Sequence, residues 1–538
     1  MLIRTHLRGV TIAVLVLLLA ACEPTVTPNP STGIVPTPQP STSETVSPSP
    51  SPATAANFPL AVVTGMKTLK ARITVDEVVS LASSGRLTVP CGVTIKEPAI
   101  APTTPCLAAD QIAAAIEANQ PLVALLPPGL VQPATKVLPI AGDGPFGMFG
   151  PDLFGDPQSR ALPYPINGSE TEAGTLDPAW YAYDPATTWT LTTIGSLCAD
   201  RGAAHQAVTL GKGWDWVFNG GTAKYAGKPY PNPNPPPGIT RYPIVKVIET
   251  GNAGATSSIS KRSDVALANQ KCPILPTKSW RPNDNTTALN FAVPEDVLSR
   301  WRDFLGIDAV FLPADHQSDR GVTGIRSTLT LLDKYGFAHT GLGMNLNQAL
   351  EPAYVQVAGL KVAFVSWNEV PGPVRAAANT PGVAWMTQAN INAAVRRAKA
   401  AGADVIVCDP QWWGGSEYHP DLRNSQVTDL KWMDAAGCDQ VIGGGLHLTG
   451  AVLFRKQADG VSMVNTGPGN YMFGQGWWQQ TQEGVILQLA FRGKTVANLK
   501  IIPYVMLAEA RADLLNPQGD GRYVLQRLFR SSSLDYLP

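Results

Sequence analysis

The pattern of hydrophobic and polar positions divides the chain into a short leader, a linker and a long folded part. An unbroken apolar run covers residues 10–21 and follows two arginines. A membrane-spanning helix needs about 20 apolar residues, whereas this run has the length of a signal-peptide core. Residues 23–56 are mostly Pro, Ser and Thr, and such a segment buries too little apolar surface to fold. We therefore expect a signal peptide at residues 1–21, followed by an extended or disordered linker that ends at residue 56.

The folded part begins near residue 57, where apolar runs of strand length start to alternate with segments of helical periodicity. Residues 57–170 predict an N-terminal α/β domain. Residues 185–508 predict a second α/β domain, in which early strands alternate with helices and the last strands follow one another directly. The first pattern favours parallel pairing and the second favours antiparallel pairing, so we predict a two-sheet sandwich with helices on both outer faces. Residues 509–538 predict a C-terminal helix or tail.

Charge argues against one class of partner. The chain has 41 basic and 41 acidic residues, a formal net charge of zero, and no basic stripe along the sequence. Affinity for nucleic acid comes chiefly from neutralised phosphates. We therefore expect no nucleic-acid partner.

The chain has seven cysteines, of which six remain when Cys22 is set aside. An even number suits an exported protein, because disulfides persist outside the cytoplasm. Cys91 and Cys106 enclose a short loop and are expected to pair. Cys198 and Cys272 each end a predicted strand and are candidates for a second bridge at one sheet edge.

No bridge is assigned between Cys408 and Cys438, whose pairing stays open, although their positions argue against one. Cys408 ends a predicted strand and Cys438 precedes one. In a parallel sheet those positions lie at opposite ends, too far apart for a disulfide.

A glycine motif at the end of the N-terminal domain resembles a dinucleotide-binding loop. Gly142, Gly144 and Gly147 follow a predicted strand in the pattern GxGxxG. A dinucleotide site needs a helix to start at this point, but Pro145 and Pro151 predict a turn-rich loop. We therefore assign no nucleotide site here.

Leu19-Ala20-Ala21-Cys22 resembles the bacterial lipobox. The resemblance implies cleavage before Cys22 and transfer of a diacylglycerol to its sulfur. The protein would then be anchored by lipid to the cell membrane on its extracytoplasmic side, with the linker holding the folded part away from the lipid headgroups.

Seven motifs follow one another between about residue 188 and residue 475. They are Gly195 with Arg201-Gly202; Asp264 and Asn269; Asp315-His316, Asp319 and Gly321; Gly341-Leu342-Gly343, Asn345, Ala349 and Pro352; Trp413-Gly414, Glu417-Tyr418, Pro420 and Gln426; Val441-Ile442-Gly443 with His447; and Gly469-Asn470-Tyr471 with Phe473. In this order they resemble the motifs of the CapA family, also called PgsA-like capsule or poly-γ-glutamate synthesis proteins. The resemblance implies the calcineurin-like metallophosphatase fold, which is an αββα sandwich.

The resemblance also implies a two-metal hydrolytic site, but most of the implied ligands are missing. Such a site needs carboxylate and imidazole ligands at the carboxyl ends of strands. Ser196 stands where the family has Asp, and Lys271 stands where it has Glu. Gly444 and Gly445 replace two histidines. We therefore expect the two-metal site to be largely eroded.

Two hypotheses remain for the matching residues. Asp315, His316 and His447, with help from Glu417, are candidate catalytic residues and candidate ligands of one divalent ion of Mn, Zn, Fe or Mg. Alternatively, both imidazoles are hydrogen-bonded remnants that line a cleft without metal. Whether the protein is an enzyme stays open at this point.

Other residues suit ligand binding without metal. The planar guanidinium of Arg201 is suited to a carboxylate or a phosphate. Trp412, Trp413, Tyr418 and Tyr471 offer flat apolar faces of the kind on which sugars stack, although at least half of them are expected to pack in the core. The candidate ligand-binding residues are Arg201, Asn269, Trp413, Glu417, Tyr418 and Asn470.

The family resemblance implies an envelope protein that acts in synthesis, attachment or export of an extracellular polymer, either capsule polysaccharide or poly-γ-glutamate. Its partners would be that polymer and the machinery that makes it. One alternative is a one-metal hydrolase or phosphoesterase that acts on envelope substrates. Another is a non-catalytic glycan- or solute-binding lipoprotein, because the N-terminal domain distantly resembles one lobe of a periplasmic solute-binding protein.

Overall fold

A computed structural model describes most of the folded part of the chain. The leader, the linker, the GxGxxG loop and a strand predicted near residues 243–249 lie outside the described residues. The described ranges are 57–119, 121–138, 140, 167–170, 186–218, 253–283, 289–413, 417–457, 460–476 and 478–533.

The larger sheet, which we call sheet A, has eight strands of mixed orientation. In its central strand, Thr188–Leu197, all ten residues are buried, because elements pack on both faces of the sheet. Parallel neighbours lie on one side of this strand and a long antiparallel hairpin lies on the other. The spatial order is Ala338–Thr340, Ala309–Phe311, Val265–Gln270, Thr188–Leu197, Glu483–Arg492, Thr495–Leu507 and Arg511–Leu514, with Asn470–Met472 paired to the carboxyl end of the central strand.

The second sheet, sheet B, has six strands. Its four middle strands are parallel, and each edge strand is antiparallel to its neighbour. The spatial order is Ala353–Val357, Leu360–Asn368, Val405–Gln411, Gln440–Ile442, Gly460–Asn465 and Val452–Gln457.

The two sheets pack face to face around an apolar core. Trp189 and Phe311 of sheet A and Phe364 and Val407 of sheet B belong to the same buried cluster. The rings of Phe311 and Phe364 meet edge to face with 6.0 Å between centroids. Each such side chain contributes about 1.5–3 kcal/mol when it leaves water. The predicted two-sheet sandwich is confirmed.

Helices cover the outer faces of both sheets, as expected from the alternation of strands and helices. Ile325 and Leu329 pack on sheet A, and Ile391 and Leu430 pack on sheet B. None of the helices in the described ranges is long and apolar enough to cross a bilayer. The α-helices are Val75–Ser83, Ile112–Ala118, Gly202–Ala204, Trp214–Phe218, Ala253–Lys261, Val297–Arg300, Gly321–Tyr335, Leu346–Ala349, Gln388–Ala400, Asn424–Ala436 and Gly521–Ser531.

Shorter elements connect these layers. Two pairs of two-residue strands and several single helical turns lie in the connections. The strand pairs are Ile274–Leu275 with Val293–Pro294 and Leu342–Gly343 with Gly382–Val383; the 3₁₀ turns are Pro98–Ile100, Ala109–Gln111, Pro128–Leu130, Asp315–Ser318 and Gln480–Gln482; and the π turns are His205–Thr209 and Trp301–Leu305.

The described part of residues 57–170, which the sequence predicts as an α/β domain, packs against the outer face of sheet A. Its apolar core includes Val62, Val78 and Leu125, and the same cluster contains Ala490 and Ala497 of the long hairpin. These two small side chains allow the domain to pack closely against the sheet. Its strands are Leu87–Thr88, Val123–Leu126, Ala61–Gly65 and Thr135–Val137 in one sheet, and Asn57–Pro59, Asn167–Glu170 and Val93–Ile95 in another.

The C-terminal segment is part of the sandwich. Strand Arg511–Leu514 pairs with the long hairpin, so the boundary predicted at residue 508 lies in the turn between two paired strands. Helix Gly521–Ser531 buries Val524 and Leu528 in the inter-sheet core. On its inner face Arg527 forms a fully buried ion pair of 2.8 Å with Glu483 and donates a hydrogen bond to Thr449.

All six remaining cysteines are paired. The bridges Cys91–Cys106 and Cys198–Cys272 form as expected. The positional argument against a bridge between Cys408 and Cys438 was wrong, since they are bonded with a Cα–Cα distance of 5.9 Å. Cys408 lies inside its strand, which continues to Gln411. After helix Asn424–Ala436, the chain meets strand Val405–Gln411 near the start of that strand, where the amide of Asp439 donates to the carbonyl of Ile406. This contact places Cys438 beside Cys408.

Replacing Arg527 by Met is expected to destabilise the protein by about 3–5 kcal/mol, because it leaves the Glu483 carboxylate buried without its cation. Urea unfolding at pH 7 measures the change. Arg522→Met, on the exposed face of the same helix, is the matched control and should change stability little. A double variant, Arg527→Met with Glu483→Met, should recover part of the loss. Equal stability of Arg527→Met and the wild type would contradict the assignment.

Candidate functional site

The carboxyl ends of the parallel strands of both sheets meet at one edge of the sandwich. Ligand sites of parallel sheets form at such edges. Asn269 ends one strand of sheet A, and the turn Asp315–Ser318 follows the next strand. Gln411 ends a strand of sheet B, and the loop that carries His447 follows strand Gln440–Ile442. The topology therefore brings together residues that are distant in the sequence.

A buried lysine occupies the centre of this edge. Lys271 has no exposed surface. Its Nζ lies 3.0 Å from Asp315 Oδ1 and 3.1 Å from His447 Nε2, and 5.2 Å from the centre of the Phe473 ring. We call Lys271, Asp315, His316, His447 and Asn470 the Lys271 cluster.

The contacts of His447 determine its tautomer. An ammonium group has only donors, so Nε2 of His447 accepts from Lys271. Its Nδ1 therefore carries the proton and donates to Asn470 Oδ1 at 2.9 Å. Burial, together with the neighbouring ammonium, lowers the pKa of His447 to about 3, so the ring is neutral near pH 7. The carboxylate of Glu417, 3.9 Å from Nε2, is thus not in an ion pair with it.

Asp315 is the acidic partner in the cluster. Burial alone would raise the pKa of Asp315, but the Lys271 ammonium, followed by His316 and His447, holds it well below its usual range. His316 Nε2 lies 3.3 Å from the other carboxylate oxygen. His316 Nδ1 lies 3.0 Å from Asp319, which also accepts from the amide of Phe291. Both predicted residues, Asp315 and His316, therefore lie in the cluster.

A polar floor lies beneath the cluster. Asn269 donates to Asp409 at 3.4 Å and to Gln411 at 3.3 Å, and Gln411 donates onward to Asp315 at 3.3 Å. Burial raises the pKa of Asp409 well above its usual value, and the Asn269 amide only partly offsets this. The Oδ1 atom of Asn269 is buried without a hydrogen-bond partner.

Close packing over this floor explains why glycine replaces a histidine. A Cβ atom at Gly444 would lie 2.8 Å from both the Asn269 amide and the Gln411 carbonyl oxygen. A Cβ atom at Gly443 would lie 1.8 Å from the indole nitrogen of Trp412. The loop therefore has no room for larger side chains at either position.

We call the partly exposed surface that Asp315, Asp319, Glu417 and Tyr418 form at this edge the cleft. Arg201 lies beside it and is largely enclosed by other residues. Its guanidinium lies 4.2 Å over the ring of Phe291 and donates to the Gly474 carbonyl at 3.3 Å. Only 9% of Arg201 is exposed. Burial lowers the pKa of Arg201, and Asp200 and Glu509 oppose the shift.

Backbone strain concentrates around this edge. Of the six described non-glycine residues with positive φ, Ala358 lies in a distant strand turn. The other five, which border the cleft or hold its walls, are Arg201, Tyr418, His447, Ala508 and Glu509. Such conformations persist only where surrounding contacts enforce them, and they are common at functional sites.

The aromatic residues suggested as sugar-binding faces divide into two groups. Trp412 and Tyr471 are buried, in agreement with the expectation that at least half of the four aromatic residues pack in the core. Trp413 and Tyr418 are partly exposed. The Tyr418 ring stacks on His447 at 5.7 Å, and its hydroxyl accepts from Gln475 at 3.2 Å.

Asn470 and Glu417 lie at different depths. Asn470 is fully buried and donates to Gln475 and to the Thr481 carbonyl, so it holds His447 in place. Glu417 is 22% exposed and lies at the mouth of the cleft. The candidate ligand residues therefore converge on one site, with Asn269 and Asn470 inside it and Trp413, Glu417 and Tyr418 at its rim.

The Lys271 cluster does not fit a divalent ion. The lone pair of His447 and one oxygen of Asp315 are both directed at the lysine ammonium. In the part of the chain that the structure describes, no group of three His, Cys, Asp or Glu side chains is arranged to hold a metal. An ammonium at this point also repels any second cation.

Several residues of the site were not identified from the sequence. Gln411, Gln475 and Asp409 each bond to a predicted residue, but none carried a distinguishing pattern. Glu369 and Asp429 also lie at this end of sheet B. Glu369 accepts from the amide of Trp413 at 2.5 Å. Burial, followed by the nearby Glu369 carboxylate, raises the pKa of Asp429 to about 7.

The raised pKa predicts that Asp429 stabilises the fold only while it is protonated. Its contribution is complete below its unfolded pKa of about 4 and is lost as the pH rises through about 7. One pKa unit is worth about 1.4 kcal/mol, and partial contact with water reduces the whole shift to about 1–2 kcal/mol. When the pH is raised from 5 to 8, the free energy of unfolding of Asp429→Asn should therefore increase by about 1–2 kcal/mol relative to that of the wild type.

Urea unfolding at both pH values measures this gain. Asp303→Asn, at an exposed position on another helical turn, is the control and should show no such dependence. A difference between Asp429→Asn and the wild type that does not change with pH would show that Asp429 is not the titrating group.

Comparisons with known proteins match the part of the chain that contains the Lys271 cluster. Residues 215–475 match the family described as "Bacterial capsule synthesis protein PGA_cap". The capsule biosynthesis protein CapA of Bacillus anthracis is 24% identical over 250 residues, which cover 45% of this chain and 58% of that relative. The match thus spans less than two thirds of the relative's length.

Two solved structures are also similar. The NAD nucleotidase NadN of Haemophilus influenzae is 14% identical and covers 65% of this chain and 57% of its own, with a TM-score of 0.33. A 5'-nucleotidase precursor from Thermus thermophilus is 15% identical and covers 64% and 58%, with a TM-score of 0.32. Neither likeness assigns an activity or a substrate to this chain.

Proposed function

Because this chain belongs to the CapA family of bacterial capsule synthesis proteins, we propose that it acts in synthesis, attachment or export of an extracellular polymer. Its cleft handles that polymer without the two-metal chemistry implied by the fold. The protein is anchored in the cell membrane through lipidated Cys22, and its folded part faces the extracytoplasmic side.

One observation carries the proposal for the cleft, namely the position of the Lys271 ammonium. It lies within hydrogen-bonding distance of Asp315 and His447, the two side chains best placed to bind a metal. The positive charge that an ion would supply is thus supplied by the chain itself. A fixed ammonium stabilises Asp315 as an anion, but it has no open coordination position for a water nucleophile.

The position of Lys271 can be tested by reversing its charge. The Lys271→Glu variant places a carboxylate beside Asp315 and His447, which gives a ligand set that suits Zn²⁺ or Mn²⁺. We expect the wild-type protein to retain no stoichiometric metal after incubation with Mn, Zn, Fe or Mg and desalting, and the variant to retain it. Elemental analysis by mass spectrometry measures the metal content, and a generic phosphodiester reports turnover.

The control variants are Lys431→Glu, at an exposed position on helix Asn424–Ala436, and Lys271→Met, which removes the charge without adding a ligand. Neither should bind metal. Stoichiometric metal in the wild-type protein together with phosphodiester turnover would refute the proposal in favour of the one-metal hydrolase.

The disulfides support an extracytoplasmic location. Six cysteines form three bridges in the described part of the chain. Structural disulfides persist in oxidising compartments and are rare in the cytoplasm. A lipid on Cys22 would then hold the folded part at the outer face of the membrane.

Changing Cys22 to Ala is expected to move the protein from the membrane fraction to the soluble extracytoplasmic fraction, because a single residue carries the anchor. Fractionation and immunoblotting measure the distribution, and capsule or polymer yield measures the consequence. Cys91→Ser is the control, as it leaves the anchor intact. A variant that stays membrane-bound would contradict lipidation, and an unchanged polymer yield would show that the tether is dispensable.

A further inference from the structure

We propose that the cleft at the Lys271 cluster binds a neutral, hydroxyl-rich glycan rather than a polyanionic polymer such as poly-γ-glutamate. This inference rests on the proposed function and specifies the substrate class of the same site. It depends on which groups of the cleft a ligand can reach.

Three cations border the cleft in the part of the chain that the structure describes, and all three are already engaged. Lys271 is fully buried and bonded to Asp315 and His447. Arg201 is 9% exposed, covered on one face by Phe291, and bonded to a backbone carbonyl. Arg320 likewise donates to the carbonyls of Phe291 and Asn290. A polyanion gains its affinity from cations that can pair with it, and these three are held by groups of the protein.

The groups that a ligand can reach include several acids. Asp315, Asp319 and Glu417 are 11%, 12% and 22% exposed at the side chain, and Glu369 is partly exposed beside Trp413. Ionised carboxylates are acceptors only. They repel carboxylates of a polyanion, but they accept hydrogen bonds from sugar hydroxyls.

A buried acceptor without a partner adds a second, independent observation. Asn269 is 5% exposed, and its Oδ1 lies in the floor beneath the cleft with no hydrogen bond. An unpaired buried oxygen costs about 1–3 kcal/mol unless a donor reaches it. A hydroxyl-bearing ligand supplies such donors, whereas a carboxylate supplies none.

Two aromatic rings at the rim complete the match. The Tyr418 ring is held by His447 on one face and by the edge of Trp478 at 5.8 Å. Trp413 is partly exposed, and its backbone amide donates to Glu369. A partly exposed ring that is held by its neighbours, as that of Tyr418 is, offers flat apolar surface at low entropic cost, and the apolar faces of sugar rings pack on such surfaces. Aromatic faces next to carboxylates therefore point to a glycan.

The test is a binding comparison with the full-length protein in lipid nanodiscs. Maltohexaose, cellohexaose and chitohexaose serve as neutral probes, and poly-γ-glutamate of similar length serves as the polyanion. We expect at least one neutral probe to bind, with an affinity that does not depend on salt, and poly-γ-glutamate to bind at least about tenfold more weakly. Calorimetry and tryptophan fluorescence measure the affinities.

Variants link binding to this cleft. Tyr418→Ala should weaken the neutral probe by about tenfold, while Tyr418→Phe, which keeps the ring and loses only the hydroxyl, should weaken it clearly less. Glu417→Gln should weaken the neutral probe a few-fold and strengthen poly-γ-glutamate, because it removes a repelling charge. Tyr354→Ala is the control, since Tyr354 lies beside Gly306 and Asp308 at the opposite end of the strands.

Near-ultraviolet circular dichroism shows whether each variant is folded. If poly-γ-glutamate binds more tightly than every neutral probe, the inference is overturned while the proposed function stands. If neither class binds, both are overturned. Neutral binding that survives Tyr418→Ala in a folded protein would place the glycan outside this cleft and overturn the inference as well.

Discussion

The buried ammonium of Lys271 links loops from both sheets of the sandwich. Lys271 and Asp315 follow neighbouring strands of sheet A, and His447 follows a strand of sheet B. Taking a lysine out of water is costly unless its donors are paired, and removing one partner of such a pair costs about 3–5 kcal/mol. The positions of these three loops are therefore coupled, and the rest of the cleft is arranged around them.

Hydrogen bonds propagate this order outward from the lysine. His447 is held by Asn470, which bonds to Gln475, which in turn bonds to Tyr418 at the rim. On the other side Asp315 is held by Gln411, which accepts from Asn269 at the floor. A continuous polar chain thus connects the floor to the exposed ring. Such a network favours a fixed binding surface, because moving one member leaves its neighbours unpaired.

Much of the fold could be predicted from local sequence. Strand lengths, helical periodicity and the order of the elements gave the sandwich, because each strand and helix has its own apolar pattern. His316 and His447, which the motifs singled out, lie at the same edge of the sandwich, beside Asp315 and Lys271. The prediction failed for Cys408 and Cys438, because strand Val405–Gln411 runs three residues beyond the position where its apolar run appeared to stop.

What the sequence by itself determined is the composition of the site: a lysine where the family has an acid, two remaining histidines and a run of glycines. What only the tertiary structure decided is how these residues are used. Lys271 and His447 are 176 residues apart, and no local pattern shows that the ammonium contacts the imidazole. Likewise, exposure separates Trp413 and Tyr418 from the buried Trp412 and Tyr471. Contact and burial depend on how the two sheets pack, and this is fixed only when the whole chain has folded.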